Sequence, residues 1–263
     1  LMRAVPPKAA EHIGRLTPYS PGKPIEEVKR ELGLHHVIKL ASNENSLGPS
    51  PAALQAMQDA AYRVHLYPDA SCHDLTSALS KHLGVGKDQL IIGNGSDEII
   101  QLLGITFLEP GDELIQADPS FVRYEASAIL NQTRCIKVPL NNWTHDLSAI
   151  LSAVTTKTRI IYIANPNNPT GTYLPFDEVK RLHQNLPAHV LLVLDAAYAE
   201  YVRRNDYAAG IELVSTSENV VMTRTFSKIH GLAMLRLGWC YAPAAVADAL
   251  NRIRGPFNVN GPA

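Results

Sequence analysis

Short, nearly continuous apolar runs alternate along this chain with stretches whose apolar residues recur every three or four positions. Leu90 to Ile92, Glu113 to Ala117, Arg134 to Val138, Ile160 to Ala164, Val190 to Leu194 and Val220 to Thr223 read as strands. The runs around Ile161 and Leu192 lack polar alternation, as strands buried on both faces do. Between them the helical period predicts helices over Pro51 to Val64 with Ser50 as N-cap, Asp74 to Leu83 ended by Gly84, Glu98 to Leu108 and Phe121 to Asn131. Further helices are expected over Asp146 to Val154, Pro175 to Leu186 and Ala244 to Arg254. Strands alternating with helices predict a mostly parallel sheet, an α/β fold. Linker-like sequence is confined to residues 1–24 and to the Gly-Pro tail after Arg254. The division expected is an N-terminal arm over 1–30, one large domain over 31–255, and a connection starting at 256–263.

Composition narrows the possibilities. At 263 residues, 46% apolar and 19% charged, the chain suits one large globular domain. A formal net charge of −1 gives no reason to expect nucleic acid or a membrane surface as partner. The longest apolar runs are too short to span a bilayer and the N-terminus lacks a signal-like apolar stretch, so the cytoplasm is expected. Cys72, Cys135 and Cys240 are odd in number and far apart, which fits buried small hydrophobes better than disulfides or a metal site. None of the ten histidines forms a metal-binding pair beside a carboxylate, so no metal is assigned.

Candidate chemistry concentrates where apolar runs end. Thr225-Phe226-Ser227-Lys228, with Arg236 eight residues later, places an amine nucleophile beside a phosphate-binding cation. An amine of this kind holds an aldehyde, and pyridoxal phosphate supplies both the aldehyde and the phosphate. A solvated surface lysine is the plainer reading of Lys228 alone. Gly93-Asn94-Gly95-Ser96-Asp97 breaks a strand into a helix whose amides at Gly95, Ser96 and Asp97 suit a phosphate, or simply cap the helix. The third glycine of a dinucleotide fingerprint is replaced by Glu98. Pro166-Asn167-Asn168-Pro169 stiffens a loop that presents Asn168, or is only a tight turn. Asp195 ends a buried strand with Tyr198 three residues on. A carboxylate there suits a protonated pyridine nitrogen, while the plainer readings are a helix cap and a core aromatic.

Taken in order, a glycine-rich helix start, Phe121, Asn168, Asp195, and Lys228 with Arg236 resemble the fold-type I aminotransferases, which use pyridoxal phosphate. The segments Leu16 to Pro24, Ala41 to Pro51 and Tyr67-Pro68-Asp69 are similar to the histidinol-phosphate aminotransferase subgroup. The resemblance implies a seven-stranded-type sheet sandwiched by helices, with an N-terminal arm and a homodimer that shares its active sites. It also implies that Lys228 carries the cofactor and relays the α-proton. Asp195 would meet the ring nitrogen, Asn168 and Tyr198 the ring O3′, and Phe121 the ring face. Gly95, Ser96, Asp97, Thr225, Ser227 and Arg236 would surround the cofactor phosphate, with Tyr67 reaching it from the neighbouring subunit. Tyr19 and Asn45 would meet the substrate.

Amino donor and 2-oxo acid are the implied partners, and histidinol phosphate with 2-oxoglutarate the implied pair. An aromatic or arogenate-type aminotransferase is an alternative, and a decarboxylase of a phosphorylated amino acid a more distant one. A regulator's effector domain would need a basic DNA-binding segment that is not seen here, and an inactive homologue would not need both Lys228 and Asp195. Relatives continue about another hundred residues into a small domain that carries a carboxylate-binding arginine, so the chain is expected to be a fragment. Ala196 stands where many relatives carry Glu, which leaves the cofactor contacts intact.

Overall fold

A computed structural model describes residues 7–263; the first six residues of the expected arm lie outside them. The strands are β1 (Leu90–Asn94), β2 (Glu113–Asp118), β3 (Arg134–Pro139), β4 (Thr158–Ala164), β5 (Leu191–Asp195), β6 (Val220–Thr225) and β7 (Leu237–Tyr241). They form one sheet in the order β1-β7-β6-β5-β4-β2-β3. All neighbouring pairs are parallel except the two made by β7, which runs against both β1 and β6. Six strands therefore share one direction, and their carboxyl ends lie along a single edge. The start of the reversed β7 lies on that edge too.

The helices are α1 (Ile25–Leu32), α2 (Pro51–Ala61), α3 (His73–Leu83), α4 (Gly95–Phe107), α5 (Val122–Leu130), α6 (Leu147–Ser152), α7 (Phe176–Gln184), α8 (Ile211–Ser215) and α9 (Ala244–Ile253). They cover both faces of the sheet. Ile161, Ile163, Leu192 and Leu194 pack with α3, α6, α7 and α8 in one buried cluster. Ile160, Tyr162, Leu191 and Val193 pack with α4, α5 and α9 in the other. Successive side chains of one strand thus feed opposite cores, the physical basis of the unbroken apolar runs.

The expected strands and helices are present, with shifted ends. The helix expected from Glu98 begins at Gly95, because the Glu98 carboxylate accepts the Asn94 N–H at 2.6 Å and closes the first turn ahead of itself. The helix expected to reach Val64 stops at Ala61, where the Arg63 and Leu66 amides make three-residue turn bonds instead. Asp146 lies outside α6 as its N-cap, accepting the Ala149 N–H at 2.9 Å. Within the stretch expected to be an arm, α1 forms a helix with no buried residue, held by Lys23, Glu27 and Glu31 in surface ion pairs. The tail after Arg254 turns back onto the domain: Asn258 Nδ2 donates to Ile92 O and Glu98 Oε2, and Val259 is buried. Of the cysteines only Cys240 is buried; Cys72 and Cys135 are half-buried. Among the described residues no helix is long and apolar enough to cross a membrane, and no cluster of metal-ligating side chains is found.

Candidate active site

Strand direction delivers the candidate residues to one place. β1 ends at α4, β2 leads to Phe121, β4 to Asn168, β5 ends in Asp195, β6 leads to Lys228, and Arg236 immediately precedes β7. Ser96, Asp97, Phe121, Asn168, Asp195, Tyr198, Thr225, Ser227, Lys228 and Arg236 all line one cavity of about 230 Å³. A crevice at the carboxyl ends of parallel strands is where open α/β sheets bind ligands.

One end of this cavity has the features that suit an anion. The first turn of the thirteen-residue α4 leaves amide donors without helical partners. Gly238 of β7 packs so closely beneath it that a Cβ there would fall 2.4 Å from the Ser96 nitrogen. Gly95 has φ +74°, and a Cβ on it would lie 2.5 Å from the Arg236 guanidinium. Arg236 itself is left-handed (φ 55°), with Nη1 at 3.4 Å from Ser227 Oγ and 3.1 Å from Ala233 O. Among the described residues it has no carboxylate partner. The Asp97 carboxylate turns aside to Arg123 Nε at 2.5 Å, so this turn offers the cavity amides rather than negative charge. Arg123 was not legible as a participant in the sequence. Thr225 and Ser227 are buried, and Thr225 Oγ1 accepts the Ser227 N–H at 3.1 Å.

At the centre, Lys228 Nζ makes among the described residues only long contacts, 3.5 Å to Ser42 O and 3.4 Å to Asn43 O, and sits 5.5 Å from the Tyr198 ring centroid. Burial, with Arg236 nearby, draws its amine below the ordinary lysine range. Beyond it Asp195 is 5% exposed. Burial pushes its carboxyl up, opposed by hydrogen bonds from Tyr124 and the Ala197 N–H and by the charge of Lys228. No α-helix starts at Asp195; its Oδ1 accepts the Ala197 N–H at 3.2 Å ahead of a 3-10 turn over Ala199–Tyr201. Tyr124 Oη donates to Asp195 Oδ2 at 2.6 Å. The sequence reading missed Tyr124; a tyrosine one turn after Phe121 on the buried face of α5, needing a partner for its hydroxyl, was the available signal.

Three other candidates do not line this cavity. Asn45 is held at both ends of its amide, with Nδ2 donating to Ile229 O at 2.7 Å and Oδ1 accepting the Leu47 N–H at 3.0 Å, so it pins the segment before α2 to the Lys228 turn. Tyr19 is 66% exposed. Tyr67 is 83% exposed and stacks on Phe257 with centroids 4.8 Å apart. Tyr198 Oη accepts from Asn43 Nδ2 at 3.0 Å. Tyr198 and Asn168, with Glu44 and Pro166, also wall an adjoining cleft of about 570 Å³.

Residues 35–263 match the model of the aminotransferase class I and II family. The chain belongs to that family. Among related class I and II aminotransferases, histidinol-phosphate aminotransferase of Rhodopseudomonas palustris is 52% identical over 249 residues, 94% of this chain and 67% of the relative. The Moorella thermoacetica enzyme of the same name is 50% identical over 258 residues, 98% of this chain and 67% of its own length. The crystal structure of histidinol-phosphate aminotransferase from Sinorhizobium meliloti in complex with pyridoxal-5′-phosphate superposes with TM-score 0.89 at 30% identity, over 98% of this chain and 69% of that one. L-threonine-O-3-phosphate decarboxylase from Porphyromonas gingivalis, at 22% identity and TM-score 0.71, shares the fold.

Proposed function

We propose that this chain forms the cofactor-binding part of a cytoplasmic histidinol-phosphate aminotransferase. It would exchange an amino group between histidinol phosphate and 2-oxoglutarate, giving imidazole-acetol phosphate and glutamate, in histidine synthesis. The observation that carries the reading is the array within one cavity: an anion cradle with Arg236 at one end, a half-buried Lys228 amine, and a buried Asp195 carboxylate. Bound there, pyridoxal phosphate supplies an aldehyde carbon that takes up the amino group and a ring that accepts the electrons released at the substrate α-carbon.

The chain's own residues then divide the work. Gly95, Ser96, Asp97, Thr225, Ser227 and Arg236 hold the phosphate through amides, hydroxyls and guanidinium. Lys228 would hold the aldehyde carbon and, once the amino donor has taken its place, would move the proton between the substrate α-carbon and C4′. Asp195 would meet the ring nitrogen and stabilise positive charge there. Asn168 and Tyr198 would donate to the ring O3′, and Phe121 would cover a ring face. The cleft beyond Tyr198 leaves room for substrate, with Tyr19 of the arm as its contact, while Asn45 supports the site from behind by holding the Ile229 carbonyl.

The active unit is a homodimer in which Tyr67 reaches the partner's phosphate site. Leu47, Tyr62, Val64, Leu66, Tyr67 and Met234 leave large apolar side chains exposed, as a surface covered by a second subunit would.

The intact protein, loaded with pyridoxal phosphate, tests the reading. Borohydride reduction followed by peptide mapping should label Lys228. In rapid mixing, histidinol phosphate should convert the bound cofactor to its amino form much faster than tyrosine or phenylalanine. A site built for a second phosphate leaves polar groups unpaired against a neutral ring, which separates substrates by up to about 10⁴. Comparable rates with aromatic amino acids would replace this reading with a broad aromatic aminotransferase, and release of carbon dioxide from a phosphorylated amino acid would replace it with a decarboxylase.

A further inference from the structure

We propose that Tyr124 is a positioning residue for Asp195, fixing the rotation of its carboxylate and keeping it the weaker base in its pairing with the cofactor's ring nitrogen. The inference rests on the pyridoxal phosphate reading above. Tyr124 is fully buried. Its ring is stacked on Tyr162 with centroids 4.3 Å apart and planes at 7°, and it meets the edge of Phe121 at 5.6 Å and 85°. Clamped between two rings, the phenol cannot swing, so its hydroxyl has one place to donate: Asp195 Oδ2, at 2.6 Å.

Register explains why the two meet. Asp195 pairs with Ala164 and stands two residues beyond Val193, whose partner is Tyr162, so it faces the same core as Tyr124 and Tyr162. With Oδ1 on the Ala197 N–H and Oδ2 on Tyr124, each oxygen keeps lone-pair capacity only in directions set by the protein.

Electrostatics then assigns a chemical consequence. A carboxylate that already accepts a short phenolic hydrogen bond is a poorer base, so the proton shared with a ring nitrogen stays on the nitrogen. The groups facing Asp195 are Tyr124 from α5, Tyr162 from β4, Tyr198 and Tyr207 from the segment after β5, and Lys228 beyond β6. Burial raises Tyr124, Tyr162, Tyr198 and Tyr207 above the ordinary phenol range, so they remain neutral donors, and Lys228 is the one cation among them.

Tyr124→Phe keeps the ring and its stacking while deleting the hydroxyl. The intact protein, carrying pyridoxal phosphate labelled with ¹⁵N in the ring, should show a wild-type shift typical of a protonated nitrogen that moves toward neutral pyridine in Tyr124→Phe. The amino-transfer half-reaction should slow about 10- to 100-fold, the loss of one charge-assisted hydrogen bond, with substrate KM little changed. In an Asp195→Asn background the same substitution should have less than about a twofold further effect, because Tyr124 acts through Asp195. An unchanged nitrogen shift in Tyr124→Phe, or an equal rate loss with and without Asp195, would reduce Tyr124 to packing and overturn the proposal. A wild-type nitrogen that is unprotonated at pH 7 and indifferent to Asp195→Asn would overturn the cofactor reading, and the proposal with it.

Discussion

Gly238→Ala tests the anion cradle at its tightest point. The added Cβ would fall 2.4 Å from the Ser96 nitrogen, 2.6 Å from the Gly95 carbonyl carbon and 3.0 Å from Arg224 O, all backbone atoms of paired or helical segments. Ordinary contact begins near 3.4 Å, so the start of α4 and the edge of β7 must separate by about 1 Å. Overpacking of this kind costs about 1–3 kcal/mol. At roughly 2–4 °C per kcal/mol for a chain near this size, the apoprotein should melt several degrees lower. The same 1 Å carries the Ser96 and Asp97 amides away from a phosphate held by Arg236. Loss of one charge-assisted hydrogen bond, about 1.5–3 kcal/mol, predicts a 10- to 100-fold weaker Kd for pyridoxal phosphate. Calorimetry of the apoprotein and a fluorescence titration with the cofactor measure the two effects separately. Gly14→Ala, with no heavy atom within 4 Å of its Cβ, is the control. A variant that melts lower yet binds cofactor within twofold of wild type would refute the role of the α4 amides. One that changes in neither respect would refute the packing argument itself.

Asp195→Asn should stabilise the apoprotein near neutral pH. Burial raises the carboxyl in the folded state, so between the unfolded value near 4 and the raised folded value the native chain binds more protons, and stability falls as pH rises through that window. The gain from the substitution should thus be absent near pH 3.5, grow through the window at about 1.4 kcal/mol per unit of displacement, and level off above it, as denaturation at several pH values would show. A gain independent of pH would place its origin in packing. For the shared-site dimer, mixing Lys228→Ala subunits with Tyr67→Phe subunits should regenerate one site free of both lesions per heterodimer. Activity equal to the sum of the parents, despite demonstrated subunit exchange, would confine Tyr67 to its own subunit.

The amino-acid sequence by itself determined the class of fold and the candidate residues that the sheet gathers around one cavity. Buried strands such as Val190 to Leu194 announce themselves because a strand apolar on both faces has no other stable place, and polar residues that end such strands fall at the edge where ligands bind. That is why Asp195, Asn168, Lys228 and Arg236 were all legible. Element ends were less so, because local hydrogen bonds such as Glu98 to the Asn94 amide decide them rather than periodicity. α1 escaped notice although Ile25, Val28 and Leu32 recur at helical spacing, since a helix of eight residues that buries nothing gives only a short pattern.

Tertiary structure alone decided the rest. The reversal of β7 brings Arg236 to the edge where the other strands end. The close approach of Gly238 to α4 joins residues more than a hundred positions apart. Tyr124 finds Asp195 across 71 positions, and Asn45 is spent on the backbone of Ile229 rather than left free beside the cavity. Periodicity reports which face of an element is buried, but not which neighbour lies against it. Those pairings follow from strand order and register, which no local stretch of sequence encodes.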